Sequence, residues 1–392
     1  MNYCPHCPEQ TPKHSLVERY LNDSVRIILD QLQRLLPTAL YQKTIWNYLL
    51  RVGLALRLIG LDPDPPAAFF SNRSWISFIE AKRRGLPIYA LKFLGHHIDE
   101  FYVQLRDHWF FYNCTPLNHL PQAAWIDDKT VCKRFFQRQN FPHAEGRAFR
   151  NARLGYRYGL KLGFPLVVKP QNGSLSAHVT YPIHSADELR EAIEIAKLFQ
   201  PGFVVERFIP GDLYRISILG KRHVFVCRKE PAFVEGDGER TIEALIKTKN
   251  QHPDRRDQTN TTLHPIPLSE RTVEILANQG YSLTSILPSG KRVNCSVKAT
   301  LAAGCEIIDY TPDLHPMTRE LFLRLAQSFE NEIIGIDYIT PDIKAPYTAQ
   351  QTAILELNSR PYVDMHQFPS QGKAHPIAEL AWELVDEILS RD

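Results

Sequence analysis

The stretch Ala353-Ile354-Leu355-Glu356-Leu357-Asn358 carries a carboxylate and an amide within an otherwise apolar run. In a β-strand, successive side chains alternate between two faces. One face then carries Ile354, Glu356 and Asn358, and the other carries Ala353, Leu355 and Leu357. Asp337 lies nineteen positions before Glu356, in a second apolar run. Two carboxylates and an amide oxygen that converge from two strands suit Mg²⁺ beside the phosphates of a nucleotide, so the sequence predicts an enzyme that uses ATP.

The composition is ordinary for a soluble globular protein of more than one domain. The 392 residues are 44% hydrophobic and 23% charged, and this length predicts two or three domains. The net charge of +3 is too small for the basic surface that nucleic-acid binding needs.

The chain also lacks features of membrane and secreted proteins. No apolar stretch is long enough to cross a bilayer, and residues 1–7 lack the basic and apolar regions of a signal peptide. Seven scattered cysteines favour a reducing compartment over a disulfide framework. We therefore expect a cytoplasmic protein that binds neither nucleic acid nor membrane.

Hydrophobic periodicity divides the chain into a helical first part and a mixed remainder. Residues 15–61 show apolar stripes at helical spacing, ended by a Pro-rich stretch at 62–66. Further helices are predicted over 128–139, 186–199, 317–330 and 376–390. Strands are predicted over 165–170, 203–206, 334–340 and 352–358, and paired strands within 212–235.

Local signals add detail to this outline. Residues 185–188 have the Ser-x-x-Glu form of a capping box, which opens the helix over 186–199. In the helix over 128–139, Lys129, Lys133 and Arg134 are expected to point outward. Residues 247–265 are polar and are expected to form an exposed insertion, whereas the aromatic-rich segment 101–112 is expected to lie in the core.

Two cationic side chains at predicted strands suggest phosphate chemistry. Lys169 ends a strand just before a polar turn containing Gly173, Ser174 and Ser176. A lysine there can reach phosphate oxygens while the backbone N–H groups of the turn surround them; a surface lysine at a strand end is the alternative. Arg215 alternates with apolar neighbours and can stabilise charge on a transferred phosphoryl group; a salt-bridged arginine on an edge strand is the alternative.

The chain offers little for other chemistries. Cys4 and Cys7 have the spacing of a zinc knuckle, but no second Cys-x-x-Cys completes a tetrahedral site, so an unbound thiol-bearing terminus is favoured over structural zinc. No Gly-x-Ser-x-Gly elbow supports a nucleophilic serine.

Several motifs follow one another over residues 126–392. They are Asp128-Lys129, Gly163 to Pro170, Val205 to Gly211, Val234 to Gly238 with Thr241-Ile242, Asp313 to Pro316, Gly335-Ile336-Asp337, and Glu356-Leu357-Asn358 followed by Met365-His366. This ordered set resembles the ATP-grasp superfamily. Within it, the set is similar to carboxylate–amine ligases such as cyanophycin synthetase and the C-terminal half of bifunctional glutathione synthetase.

The resemblance implies an α+β fold, the ATP-grasp fold, in which two α+β subdomains grip ATP. Residues 126–205 would form the subdomain with the phosphate-binding loop. Residues 206–392 would form the subdomain with the metal ligands and an insertion near 247–300. Residues 1–125 would form a mixed helical and α/β N-terminal domain that contributes to substrate binding.

The resemblance also implies roles for individual residues. Lys129, Lys169 and the loop residues Gly173, Ser174 and Ser176 would contact the phosphates of ATP. Glu206, Arg207, Phe208 and Ile209 would form the hinge beside adenine. Asp337, Glu356 and Asn358 would ligate two Mg²⁺ ions, for which Mn²⁺ can substitute.

Some positions depart from the family pattern. Leu213 stands where an acidic ribose contact is expected, and Asp212 could replace it. Ser296 and Thr300 stand where an arginine and an asparagine are expected, and Lys298 could restore the lost positive charge. Arg215 and Lys298 are then the candidate catalytic residues.

The implied reaction joins the carboxylate of an amino acid or short peptide to an amine. The γ-phosphate moves to the carboxylate, and the amine displaces phosphate from the acyl phosphate, which must be protected from water. The partners would be small acid and amine substrates, and a homo-oligomer is compatible with this family. Two alternatives stay open: an ATP-grasp-like kinase of small molecules, and a catalytically weakened module that binds Mg-ATP, suggested by Ser176-Ala177-His178 where relatives have glycines.

Overall fold

The computed structural model describes residues 52–120, 123, 125–171, 178–256, 261–297 and 299–391. Within these ranges the strands form four antiparallel sheets. Several residues singled out in the sequence lie outside the described residues: Cys4, Cys7, Gly173, Ser174, Ser176, Lys298 and most of the segment 15–61.

The first sheet contains β1 (Ile59–Asp62), β2 (Ile88–Phe93), β3 (His96–Leu105) and β4 (His108–Tyr112), in that order, with α1 (Asn72–Arg83) between β1 and β2. The prediction of helices over residues 15–61 is wrong at the end of that range. Residues 52–55 are helical, but Ile59 to Leu61 pair with β2. A short apolar stretch suits both a helix and a strand, and here the pairing with β2 decides between them.

The second sheet has the order β5-β8-β6-β7. In chain order its region comprises α2 (Lys129–Arg138), β5 (Gly146–Phe149), α3 (Ala152–Leu162), β6 (Leu166–Pro170), β7 (Thr180–Ile183), α4 (Ala186–Phe199) and β8 (Phe203–Arg207). The predicted helices and strands of this region are confirmed, because their termini carry strong signals. Asp128 caps α2 by accepting from Thr130 N and Val131 N, and Ser185 Oγ accepts from Glu188 N to start α4.

The third region is built on a five-stranded sheet. In chain order it comprises β9 (Asp212–Leu219), β10 (His223–Glu230), β11 (Phe233–Glu235), α5 (Ile242–Asn250), α6 (Glu270–Ala277), β12 (Arg292–Asn294), β13 (Glu306–Asp309), α7 (Pro316–Gln327), β14 (Ile333–Thr340), β15 (Ala353–Asn358), α8 (Asp364–Gln367) and α9 (Ile377–Leu389). The large sheet has the order β13-β10-β9-β14-β15, and β11 pairs with β12 in a small separate sheet.

The polar composition of the segment 247–265 predicted an exposed insertion, and that prediction is wrong for part of the segment. Arg255, Thr262 and Leu263 are buried. Arg255 donates to His264 O and Gly304 O and forms an ion pair with the buried Glu306 of β13. Because a buried charge needs a charged partner, this pair fixes the segment against the large sheet.

A bulge in β15 changes the predicted alternation of its side chains. Asp337 of β14 pairs with Glu356, but the next residue, Tyr338, pairs with Ile354, so Leu355 is an extra residue. Ile354 therefore packs with Tyr338 and Leu357 in the core beneath the sheet. Ala353 and Leu355 instead belong to a small cluster with Ile339, on the side of Asp337. The prediction that Ile354 shares a face with Glu356 is wrong, while Glu356 and Asn358 do share one.

One core joins the beginning and the end of the described chain. Phe70, Phe101 and Phe110 of the first region pack with Trp382 and other residues of α9. Trp382 Nε1 donates to Ser77 O of α1 over 2.9 Å. Phe101, Phe110 and Tyr112 are buried, as predicted, whereas Tyr102, Trp109 and Phe111 are only half-buried and stack with one another on the other face of the sheet.

None of the helices in the described part of the chain combines the length and the apolar content that crossing a lipid bilayer requires.

Candidate active site

The candidate site lies where the five-stranded sheet meets the beginning of α2 and the strand β6. Lys129 Nζ, in the first turn of α2, lies 2.9 Å from Glu356 Oε2 of β15. The two elements are held together by Asp127, which accepts from Ser359 N over 2.8 Å and from Ser359 Oγ over 2.6 Å. The predicted metal ligands and the predicted phosphate lysine of α2 are therefore brought together.

Asp337 and Glu356 are directly opposite one another on β14 and β15, and their carboxyl groups hydrogen bond. Burial raises the pKa of Asp337 to about 6, against the effect of the nearby Arg215, and the Glu356 carboxylate raises it further. Burial also acts to raise the pKa of Glu356, but Lys129 and the hydrogen bond with Asp337 bring that pKa down to about 2. The two carboxyl groups thus titrate as a coupled pair, in which Glu356 loses its proton more readily than Asp337.

This arrangement fits a divalent cation that is also held by phosphate oxygens. Asn358 lies on the same face as Glu356, and its buried Nδ2 has no hydrogen-bond partner among the described residues. No group of three or more His, Cys, Asp or Glu in the described residues could hold a metal ion. Two carboxylates and one amide are what Mg²⁺ takes from a protein when a nucleotide supplies further oxygens.

Arg215 of β9 faces the same side of the sheet as Asp337. Its Nε lies 2.7 Å from Asp337 Oδ1, close enough for an ion pair, although the contact does not have the alignment of a hydrogen bond. Gly335 of β14 leaves room for this side chain, because a Cβ there would lie 3.2 Å from Arg215 Nη1 and 2.5 Å from Pro361 Cβ. The arrangement of the site therefore depends on glycine at position 335.

A second charged cluster surrounds Glu206 at the end of β8. Lys169 Nζ lies 2.6 Å from Glu206 Oε1, and Lys133 Nζ lies 2.6 Å from Glu206 Oε2. Burial acts to raise the pKa of Glu206, but the two lysines lower it to about 2. Burial acts to lower the pKa of Lys169, but Glu206, Glu356 and Asp337 together raise it. Lys169 thus lies between the two carboxylate clusters.

Lys129, Lys133 and Arg134 were expected to point outward, and the structure confirms this only for Arg134, since the two lysines pair with Glu356 and Glu206. Lys133 is the one that the motifs had not placed in the site. Its pKa is lowered by burial, partly offset by Glu206. The spacing of Lys129 and Lys133, four residues apart in α2, places both side chains on one face of the helix. This spacing is the sequence signal that could have identified Lys133.

Of the predicted hinge residues, only Glu206 lies in a charged cluster, and the three residues after it do not. Arg207 Nη2 donates to Leu162 O and Phe208 N donates to Pro165 O, so both are anchored to the second sheet. Ile209 is buried beside Ala353. Asp212 begins β9 on the face of Tyr214, opposite to Arg215, and pairs with Arg228. The structure therefore does not bring Asp212 to the metal ligands.

A pocket of about 260 Å³ lies along the start of β9 and the end of β10. Its lining includes the predicted binding residue Asp212, together with Leu213, Lys229, Phe233 and Arg292. Lys229 lies two residues after Cys227, which pairs with Arg215, and its charge acts to lower the pKa of Asp337. No pattern in the sequence pointed to Lys229, because only the register of β9 with β10 shows that it shares a face of the sheet with Arg215.

A buried polar layer lies behind Arg215. His366 Nε2 is 2.8 Å from Ser217 Oγ, and His375 Nε2 is 3.1 Å from Asp309 Oδ1. Burial, together with the electrostatic effects of the neighbouring His375 and Arg215 side chains, lowers the pKa of His366 to about 3. His366 is therefore neutral and packs on the same face of the sheet as Arg215, beside the site.

Comparisons with known proteins agree with these observations. The chain is 34% identical over 218 residues to cyanophycin synthetase of Geminocystis herdmanii, which covers 55% of this chain and 25% of that protein. It is 30% identical over 268 residues to the glutathione biosynthesis bifunctional protein GshAB of Clostridium perfringens, which covers 67% of this chain and 34% of that protein. The chain thus spans about a quarter to a third of the length of these relatives. No model of a protein family matches it.

Among solved structures, a bifunctional glutathione synthetase from Pasteurella multocida matches with a TM-score of 0.66 at 22% identity. The match covers 83% of this chain and 44% of that chain. It confirms the fold predicted from the ordered motifs.

Proposed function

We propose that this chain, an ATP-grasp protein by sequence similarity and by fold, is an ATP-dependent ligase that joins the carboxylate of an amino acid or short peptide to an amine. ADP and phosphate are the other products. One observation carries the proposal: Glu356 and Asp337 are in direct contact with Lys129 and Arg215, and both carboxylates also raise the pKa of the buried Lys169. This set combines the anions that hold a metal with the cations that hold a triphosphate.

The cations and the carboxylates have separate roles in this proposal. Lys129 and Lys169 bind phosphate oxygens of ATP. When Lys129 moves from Glu356 to a phosphate, the Glu356 carboxylate becomes available to the metal. Asp337, Glu356 and Asn358 would bind two Mg²⁺ ions, for which Mn²⁺ can substitute. The bound metal would neutralise charge on the phosphate oxygens. The loop residues Gly173, Ser174 and Ser176 and the candidate Lys298 would add further phosphate contacts.

Arg215 is the described residue best placed to stabilise the phosphoryl group during transfer. Its side chain is only 12% exposed, so its charge acts in surroundings of low polarity, where it is strongest. The acid substrate accepts the γ-phosphate on its carboxylate, and the amine then displaces phosphate from the acyl phosphate. The low exposure of Arg215 and Asp337 supports this chemistry, because water would hydrolyse that intermediate.

The substrates are small acids and amines in this proposal, and the first region helps to bind them. Asn118 Nδ2 donates to Ser359 O, directly after the metal ligands of β15. Arg73 Nη1 donates to Arg360 O over 2.6 Å, and the Arg73 guanidinium lies over the ring of Tyr362. Residues of 1–125 thus contact the segment that follows the site. The same proposal includes the hinge role of residues 206–209 beside adenine.

Phosphate release tests the proposal. The protein is incubated with Mg-ATP and pairs of amino acids or dipeptides, and release is expected only when both an acid and an amine are present. Glu356→Gln should abolish release with the fold intact, because glutamine keeps the shape and removes the charge that Mg²⁺ needs. Glu330→Gln, at an exposed position in the turn after α7, is the matched control and should keep full activity.

Other outcomes would decide against ligation. Full release by Glu356→Gln would remove the metal assignment. A stable phosphorylated product that forms without any amine would identify a kinase instead. Tight binding of Mg-ATP with no release for any pair would identify a binding module.

A further inference from the structure

One carboxylate in the site serves two lysines at once. The two oxygens of Glu206 are divided between Lys169 and Lys133, each at 2.6 Å. The Glu206 side chain is only 4% exposed. A carboxylate in such surroundings needs charged partners, and Glu206 has one on each oxygen.

The three residues come from elements that are fixed independently. Glu206 pairs in the second sheet with Gly146 on one side and Val167 on the other. Gly146 has no room for a side chain, since a Cβ would lie 2.4 Å from Glu206 Cβ. Lys169 comes from the neighbouring β6, and Lys133 comes from α2, one turn after Lys129. Glu206 thus connects the helix that carries Lys129 to the strand that carries Lys169.

The charge of this trio bears directly on phosphate binding. Two lysines and one carboxylate leave a net charge of +1 beside the Asp337 and Glu356 pair, whose charges act on Lys169. Without Lys133 the remaining Lys169 and Glu206 pair would be neutral. Glu206 would also be free to rotate away from the position that holds Lys169.

We propose that Lys133 is a positioning residue of the nucleotide site: by binding one oxygen of Glu206 it fixes the other oxygen, which in turn holds the Lys169 ammonium toward the phosphates of ATP. The inference rests on the proposed function, because it assigns Lys169 to the phosphates. It adds a residue whose effect falls on nucleotide affinity rather than on the chemical step.

Calorimetric titration of the full chain with Mg-ATP tests this role. Lys133→Met keeps the length of the side chain and removes its charge, and Mg-ATP affinity is expected to fall about tenfold. At saturating ATP, kcat is expected to stay within about twofold of the wild-type value. The loss of ATP affinity should then appear as a higher KM for ATP. Lys133→Arg should recover most of the affinity. Arg134→Met, at the exposed neighbouring position of α2, is the matched control and should bind as the unchanged protein does.

A double variant separates positioning from simple structural support. If Lys133 acts through Glu206, then Lys133→Met with Glu206→Gln should bind Mg-ATP no more weakly than Glu206→Gln alone. This double variant also removes the buried unpaired carboxylate, so it stays measurable where Lys133→Met alone fails to fold.

The outcomes distinguish this inference from the proposed function. Unchanged affinity in Lys133→Met, equal losses in Arg134→Met, or additive losses in the double variant would overturn the role of Lys133 while ATP binding stands. Failure of the unchanged protein to bind Mg-ATP would overturn the proposed function itself.

Discussion

At the residue scale, the candidate site is a set of opposite charges in contact. Lys129 pairs with Glu356, Arg215 with Asp337, and Lys133 and Lys169 with Glu206. Burying a charge is costly unless it is paired, so each contact lets a reactive group lie away from water. Removal of one partner should therefore affect both function and stability.

Replacement of Arg215 should reduce turnover strongly. Arg215→Met removes the cation beside the phosphoryl group and leaves Asp337 without its main opposing charge. Loss of one such stabilising group typically costs about a hundredfold to a thousandfold in kcat. The measurement is amine-dependent phosphate release at saturating ATP.

The control for this change is Arg153→Met, at an exposed position on α3. It should keep the unchanged turnover. If Arg215→Met kept more than about a tenth of the unchanged kcat, the arginine would have only a structural role in the sheet.

The buried His366 should make the protein less stable in mild acid. In the unfolded chain it takes up a proton as the pH falls below its ordinary pKa of 6.5, while in the folded protein, where its pKa is about 3, it stays neutral. The folded state therefore loses stability as the pH falls from about 6.5 toward 3. At pH 5 this histidine accounts for about 2 kcal/mol of lost stability.

Chemical denaturation at pH 7 and pH 5 measures this effect. His366→Gln keeps a polar partner for Ser217 and should show a smaller loss of unfolding free energy between the two pH values. His108→Gln, at an exposed position in β4, should lose as much as the unchanged protein. Equal losses in all three proteins would show that His366 is accessible to protons in the folded state.

At the scale of elements, β14 and β15 determine the geometry of the metal ligands. The bulge at Leu355 turns Ile354 into the core and leaves Glu356 opposite Asp337. The tie between Asp127 and Ser359 then holds the end of β15 against the start of α2. The contact between β15 and α2 thus places Glu356 and Lys129 next to one another.

A side chain at position 335 should disturb this geometry. Gly335→Ala places a Cβ 2.5 Å from Pro361 Cβ and 3.2 Å from Arg215 Nη1. Overpacking of this kind costs about 1–3 kcal/mol of unfolding free energy and would displace the arginine, so turnover should fall as well. Thermal unfolding and phosphate release measure the two effects.

Gly60→Ala is the matched control, because Gly60 also lies in a strand. A Cβ there would meet Lys92 Cβ at an ordinary contact distance of 3.5 Å. The control should therefore change the free energy of unfolding by less than about 0.5 kcal/mol. Its turnover should be unchanged. An unaffected Gly335→Ala would show that Pro361 and Arg215 can move without loss.

At the scale of the whole molecule, the first region and the end of the chain share one core. Trp382 of α9 is 1% exposed, packs among the aromatic residues of the first sheet and donates to Ser77 O. The same core includes Leu219 and Ile333 of the sheet that carries the candidate site. The boundary predicted at residue 125 stays a prediction, and hydrophobic packing crosses it.

Truncation of this tryptophan should destabilise both ends together. Trp382→Ala should lower the unfolding free energy by about 3–5 kcal/mol. The fluorescence and the circular dichroism should show the same unfolding midpoint, because one core is disrupted. Phe93→Ala, at a position that is 51% exposed, should cost much less. Two separate transitions in Trp382→Ala would show instead that the first region unfolds by itself.

The sequence by itself determined the elements with strong local signals and the identity of the charged ligands. The capping box at Ser185 predicted the start of α4, because capping depends only on neighbouring residues. Apolar runs predicted β14 and β15, and the carboxylates within them stood out because such runs rarely contain charge. The order of the motifs predicted the fold.

The tertiary structure alone decided which charges meet. The bulge at Leu355, the inward position of Lys133 and the presence of Lys229 beside Arg215 all depend on the pairing of elements far apart in the chain. The burial of Arg255 depends on Glu306, fifty-one residues further along. Periodicity shows which residues share a face of an element, but the free energy of packing one element against another decides what that face contacts.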